Sequence, residues 1–295
     1  MKLSVEWGRL YICPTPIGNL SDITLRTVTV LGQVDLIACE DTRVSIKLLQ
    51  RYSIQKPLIS YHAHNIESAL RKIMIQLKLG KEVALITDAG MPGIQDPGQE
   101  IIQAVIREGL EFDVLPGASA VLPAVIYSGF SSNGFLFLGF LPRSGQERKK
   151  KLEQSLLLPQ AVVLYESPKR ILSTLQEIQI IMEKDRQIVL CRELTKIHQE
   201  IIRGSVAGIV EELKARETIL GEIVLVIEGN PKTENSIPPT VFRCIEYLLQ
   251  KGYSEKDIVE LTSSVFNLKK NLVKRELARR KPPLEQRSGM IHDQD

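Results

Sequence analysis

Cysteine is scarce and scattered in this chain of 295 residues: four in all, at 13, 39, 191 and 244, with no CxxC pair and no metal-ligand spacing. That excludes a disulfide framework and leaves no metal or redox site to expect. The first three lie inside apolar runs, where a buried free thiol is an ordinary core residue. No uninterrupted apolar stretch is long enough to cross a bilayer, and residues 1–7 have no apolar signal core, so a reducing cytoplasm is the expected setting. Neither GxGxxG nor GxxxxGK(S/T) occurs, which removes the two commonest phosphate cradles. An excess of one charge is missing too: 38 Lys and Arg face 35 Asp and Glu, a net +3, so total charge announces no polyanion partner.

What is present is repetition. Apolar runs at 9–13, 34–39, 83–87 and 112–115 each break into a Gly- or Pro-rich turn with polar side chains, at 14–19, 40–43, 88–93 and 116–119. Alternation of such strands with helices predicts an α/β fold with a parallel sheet, whose ligands sit beyond the carboxyl ends of the strands; the four turns are expected to converge on one crevice. Glycines 18, 90, 93 and 117 let a ligand approach the backbone, while Asp88 and Ser119 bring an acceptor and a hydroxyl. This set suits a ligand with hydroxyl and amine donors rather than a string of phosphates.

Helices are predicted at 64–79, closed by Gly80, and after Asp96, read as an N-cap with Pro97 at the first helical position and Gln99 completing a capping box; Gly109 ends that helix. Small polar residues at 128–134 read as a hinge. Beyond it come strands at 135–138, 161–165, 187–191 and 223–227, helices at 171–182 and 206–215, and a basic connection at 142–151 holding Arg143, Arg148, Lys149, Lys150 and Lys151. After a proline-bearing linker at 231–239, three short helices at 241–250, 255–265 and 269–280 resemble a helix-turn-helix module. Its last helix carries Lys269, Lys270, Lys274, Arg275, Arg279, Arg280 and Lys281 against Glu276, a local footprint for a polyanion. The organisation expected is two α/β domains at 8–127 and 128–230, a helical basic module at 240–281, and a disordered tail at 282–295.

In chain order, Pro14-Thr15-Pro16-Ile17-Gly18-Asn19-Leu20, Glu40-Asp41-Thr42-Arg43, Asp88-Ala89-Gly90, Asp96-Pro97-Gly98 and Leu115-Pro116-Gly117-Ala118-Ser119-Ala120 resemble the signatures of the tetrapyrrole-methylase superfamily. Tyr165-Glu166-Ser167-Pro168, Arg192-Glu193-Leu194-Thr195-Lys196 and Gly221-Glu222 continue the match. Over residues 8–229 the order is similar to the branch that methylates a cytidine ribose 2′-hydroxyl in 16S ribosomal RNA. The resemblance implies S-adenosylmethionine in a cleft between two α/β domains, a homodimer, and the small ribosomal subunit as partner. Carried over by position, cofactor contacts fall at Ile17, Gly18, Asp88, Gly90, Met91, Ser119, Ala120 and Tyr165. RNA contacts are expected at Arg143, Lys149, Lys150, Lys269, Lys270, Lys274, Arg275, Arg279 and Arg280.

The chain departs from the family pattern at Met91, where Thr is usual, at Gly93, where Leu is usual, and at Lys169, where His is usual. Methionine cannot replace a threonine hydroxyl bond, although backbone contacts at 91 survive. A ribose hydroxyl is a poor nucleophile, so a positioned base is expected, with Asp41, Glu166 and Glu193 as candidates. Arg43 and Lys196 stand by to hold a phosphate or to depress a carboxylate pKa, and His62 and His64 follow another strand. The alternatives are carbon methylation of a tetrapyrrole and a non-catalytic RNA-binding assembly factor that keeps the fold.

Overall fold

A computed structural model describes residues 7–130, 134–182, 186–230, 239–266 and 268–279. The first apolar runs form a five-stranded parallel sheet of β1 (Leu10–Ile12), β2 (Leu36–Cys39), β3 (Leu58–Ser60), β4 (Val83–Ile86) and β5 (Phe112–Val114), in spatial order β3-β2-β4-β1-β5. The central strand β4 is Val-Ala-Leu-Ile with every residue buried, because helices cover both faces of the sheet. On one face α1 (Leu25–Gln33) and α2 (Thr42–Arg51) bury Leu31 and Leu49 against Ile37, Ile86 and Leu115. On the other, α3 (Ile66–Lys78) and α4 (Gln99–Glu108) bury Ile73, Leu77, Ile101 and Val105 against Leu10, Ile12 and Leu85. The chain leaves β1 toward β2 and leaves β4 toward β5, so the switch point of the sheet lies between β4 and β1, where a ligand crevice forms.

A second sheet contains β6 (Phe135–Phe140), β7 (Ala161–Glu166), β8 (Gln187–Arg192), β9 (Glu200–Ser205) and β10 (Ile223–Ile227), in order β6-β7-β10-β8-β9. Only β6 and β7 pair in parallel; the other neighbours are antiparallel. Alternation along the strands sorts their side chains. Ile188, Leu190, Ile223 and Leu225 meet α6 (Gln146–Leu156), α7 (Ile171–Ile181) and α8 (Val206–Lys214). Val189, Cys191, Val224 and Val226 meet α5 (Val121–Ser128), which follows the turn after β5 and buries Val121, Ala124 and Val125 on this sheet. Both sheets thereby belong to one compact unit.

A second unit contains α9 (Pro239–Gln250), α10 (Glu255–Val265) and α11 (Lys270–Arg279) around its own core of Val241, Ile245, Ile258, Val273 and Leu277. Ser254 caps α10: its hydroxyl accepts from the Asp257 amide at 3.2 Å and donates to the Asp257 carboxylate at 2.5 Å. Arg280, Lys281, the tail from 282, the linker at 231–238 and part of the hinge stretch, 131–133, lie outside the described residues.

Three sequence expectations change. The basic stretch at 142–151 is a connection only as far as Gly145: from Gln146 it is helical, and Arg148 turns inward, 4% exposed. Strand β9 is an addition: Glu-Ile-Ile-Arg-Gly-Ser has a weak strand pattern, yet it pairs with β8 along its whole length. Asp96 does not cap α4; Gly98 occupies that position, with a φ of 149° that a residue bearing a Cβ rarely adopts and with no room for one, as a Cβ would lie 2.9 Å from the Gly93 nitrogen.

Candidate active site

The turns after β1 and β4 are laced together across the switch point. The Thr15 amide donates to the Gly90 carbonyl at 2.9 Å, the Gly90 amide returns to Thr15 at 3.0 Å, and the Thr15 hydroxyl donates to the Thr87 carbonyl at 2.9 Å. Gly90 sits at φ 83°, the left-handed conformation that lets the chain double back. Beside this lacing opens a cleft of about 330 Å³ whose lining comes from both sheets. Ile17, Gly90, Met91, Ser119 and Ala120 are contributed by the turns after β1, β4 and β5; Phe140, Tyr165, Leu194, Glu222 and Val224 come from the second sheet and its loops. Gln95, at φ 67°, spans the two: its Oε1 accepts from the Phe140 amide at 3.0 Å.

Of the cofactor candidates read from sequence, Gly18 and Asp88 do not line this cleft. Gly18 packs against the 194–196 loop, where an added Cβ would collide with Lys196 and lie 2.9 Å from the Thr195 hydroxyl; the neighbouring Asn19 amide donates to that hydroxyl at 3.1 Å. Asp88 faces backward and accepts from the Asp41 amide at 3.1 Å. The turn after β2 thus stands behind the turn after β4, and three of the four turns, not four, reach the crevice. Asp41 and Arg43 pair with each other, Nη2 to Oδ2 at 2.6 Å, and the Arg43 hydrogen bonds and the Arg43 amide hold the Asp41 carboxyl down at about 2.

Glu193 and Lys196 are likewise engaged outside the cleft. The Glu193 carboxylate accepts from Lys196 Nζ at 2.8 Å and from the Glu222 amide at 2.9 Å, and the Lys196 bond holds its pKa below the usual carboxylate range. Glu193 and Thr195 both have positive φ, 52° and 64°, so this loop stores strain where it clamps the β1 turn. Glu166 does line the cleft, but it is 3% exposed and its oxygens are committed. They accept from the Ser167 amide at 2.8 Å and the Thr174 hydroxyl at 2.6 Å, and lie 3.4 Å from Arg170 Nε and 3.9 Å from Arg148 Nη1. Arg148 continues to Thr174 at 2.8 Å, Glu177 at 2.9 Å and the Pro142 carbonyl at 3.1 Å. His62 and His64 follow β3, away from the cleft lining.

Among the RNA candidates, Arg143, Lys149 and Lys150 are exposed at and before the start of α6, although Lys149 is 3.8 Å from Glu153. Lys269, just before α11, and Lys270, Lys274 and Arg275 within it are exposed, although Lys270 is 3.9 Å from Glu260, and Arg279 ends the helix.

The residue that sequence reasoning misread is Asp96. Its carboxyl lines the cleft, where burial and then the charges of Glu40, Asp88 and Glu222 push it up to about 7. Burial also raises Glu40 and Asp88, and takes the Tyr165 phenol to about 12. The paired glycines 93 and 98, brought into close approach, were the signal that 93–98 is a site turn rather than a helix start. Among the described residues lining the cleft are three carboxylates, Asp96, Glu166 and Glu222, and no Lys, Arg or His. Glu166 is paired with Arg170 and Arg148 and Glu222 with Lys196, which leaves Asp96 as the lining carboxylate without a cationic partner among the described residues.

A parallel sheet with its switch-point cleft closed by a mixed sheet is the architecture of several solved methyltransferases. The fold aligns with cobalt precorrin-4 methyltransferase at a TM-score of 0.57, with 17% identity, over 74% of this chain and 94% of that one. It aligns with uroporphyrin-III C-methyltransferase of Thermus thermophilus, crystallised with S-adenosyl homocysteine, at 0.54 and 16% identity over 74% and 97%. The class is therefore that of the two-sheet methyltransferase fold. The sequence model for Tetrapyrrole (Corrin/Porphyrin) Methylases matches residues 9–210, and the chain belongs to that family. Within it, the chain is 45% identical to the ribosomal RNA small subunit methyltransferase I of Thermotoga maritima over 75% of this chain and 99% of the relative. It is 40% identical to that of Bacillus subtilis over 92% and 93%, and 37% identical to that of Escherichia coli O157:H7 over 90% and 92%.

Proposed function

We propose that the protein transfers a methyl group from S-adenosylmethionine to the ribose 2′-hydroxyl of a cytidine in the 16S RNA of the small ribosomal subunit, acting in the cytoplasm as a homodimer. The observation that carries this reading is similarity along nearly the full chain to ribosomal RNA small subunit methyltransferases I. The cleft fits the cofactor: Ile17, Met91, Leu194 and Val224 offer apolar surface, Ser119 a hydroxyl, and Gly90 an approachable backbone. Bound S-adenosylmethionine supplies a methyl already activated by its sulfonium charge. The chain's own residues have to align the incoming oxygen and exclude water.

Since the lining holds no cation, RNA phosphates are met elsewhere, on the exposed Arg143, Lys149 and Lys150 and on the basic face of α11. Exposed Leu122 and Ile126 on α5 support an interface with a second copy. No observation favours tetrapyrrole methylation or a non-catalytic role. Labelled cofactor incubated with unmodified small ribosomal subunits, followed by mapping of ribose methylation, tests the reading. Label at one cytidine 2′-oxygen is expected, and label on no 2′-oxygen overturns it.

A further inference from the structure

We propose that Asp96 is the base that accepts the proton of the substrate hydroxyl during methyl transfer. This rests on the reading of the protein as a ribose methyltransferase and supplies the proton acceptor that such a reaction requires. Three carboxylates line the cleft and two are spoken for. Glu166 is enclosed by Ser167, Thr174, Arg170 and Arg148, and Glu222 is held by Lys196 at 3.2 Å. No hydrogen bond or ion pair joins the Asp96 carboxylate to another described residue, so its lone pairs are available to a substrate.

The position is also fixed. Gln95 ties the preceding residue to β6 through the Phe140 amide at 3.0 Å, Pro97 restricts the following backbone, and Gly98 is packed against Gly93. A base on a rigid turn keeps its reach from one turnover to the next.

The surroundings tune it for the task. The ionisable groups that interact with it electrostatically are Glu40 after β2, Asp88 after β4, Glu222 before β10, and the Tyr165 phenol of β7; none is cationic. Burial and the three acidic neighbours bring the carboxyl to about 7. An ordinary aspartate, at about 3.9, is ionised at neutral pH but too weakly basic to draw a proton from a hydroxyl with much effect. In the step itself, the hydroxyl oxygen bonds to the methyl carbon as the carbon–sulfur bond breaks with its electron pair left on sulfur. The hydroxyl proton passes to Asp96, which returns it to solvent once the product has left.

The competing role for Asp96 is to hold the cofactor's ammonium or sulfonium charge, and one experiment separates the two. Full-length wild type, Asp96→Asn and Asp96→Glu are given unmodified small ribosomal subunits and saturating S-adenosylmethionine in single-turnover assays from about pH 5.5 to 9, spanning the expected inflection. Cofactor affinity is measured by calorimetry without RNA. Expected are a wild-type rate that climbs with pH and levels off past an inflection near 7, and a fall of about 10²–10⁴-fold in Asp96→Asn with the climb abolished. Cofactor Kd should change by less than about threefold, which also shows that the variant is folded, and Asp96→Glu should restore part of the rate and the climb. A wild-type rate in Asp96→Asn, a retained climb, or a loss explained by weakened cofactor binding overturns the proposal. If wild type itself labels no 2′-oxygen, the functional reading fails and takes the base with it; an unchanged variant beside an active wild type removes the base alone.

Discussion

Glu166 and Asp96 line one cleft and are opposites, because a carboxylate behaves as its neighbours dictate. Glu166 is pinned by two arginines and two hydrogen-bond donors, so its work is to hold the start of α7 and the Pro142 segment together. Glu166→Ala takes the buried acceptor from the Ser167 amide and the Thr174 hydroxyl and leaves Arg148 with Glu177 as its carboxylate, and should cost about 1–3 kcal/mol in urea unfolding. Glu166→Gln, which keeps the shape and much of the hydrogen bonding, should lose less and leave the pH profile of the reaction in place. Asp96 has its folded-state pKa raised to about 7, above the unfolded value, so the native state holds the proton more tightly. Its contribution to stability is full below about pH 4 and disappears as pH rises through 7. Asp96→Asn should therefore melt at a higher temperature than wild type at alkaline pH, with the difference closing toward the acid end.

At the scale of elements, what is legible in the sequence is what local signals encode. Runs such as Val83-Ala84-Leu85-Ile86, flanked by Gly and Pro turns, give the strand ends, and helical spacing gives α3, α7 and α8. What is not legible depends on partners far along the chain. Strand β9 exists because β8 offers it a register, with Arg192 and Glu200 paired across at 2.9 Å. Arg148 belongs to a basic run and is nevertheless buried, because Glu166 and Glu177 wait for it. The unusual basicity of Asp96 comes first from burial and then from neighbouring charges, among them Glu40 and Glu222, more than forty positions away in either direction, which no window on the sequence joins. Where the signal is local the expectation is sharp. The Ser254 hydroxyl caps α10, and Ser254→Ala should destabilise the helical unit by about 1 kcal/mol, read from the melting of that unit.

For the whole molecule, the two units have separate cores, Leu10 to Ile227 supplying four clusters and α9 to α11 a fifth. Removing residues 231–295 should leave a folded chain that binds S-adenosylmethionine with wild-type affinity by calorimetry, while methyl transfer to ribosomal subunits drops as the basic face of α11 is lost. An undiminished transfer rate would assign RNA capture to Arg143, Lys149 and Lys150 alone. The partnerless Asp96 has one more consequence, for the charge of the cleft over a turnover. With Asp96 as the base, methyl transfer converts a sulfonium into a neutral thioether while the proton cancels the negative charge of the carboxylate, so one charge of each sign vanishes together and the cleft ends the step at the net charge with which it began.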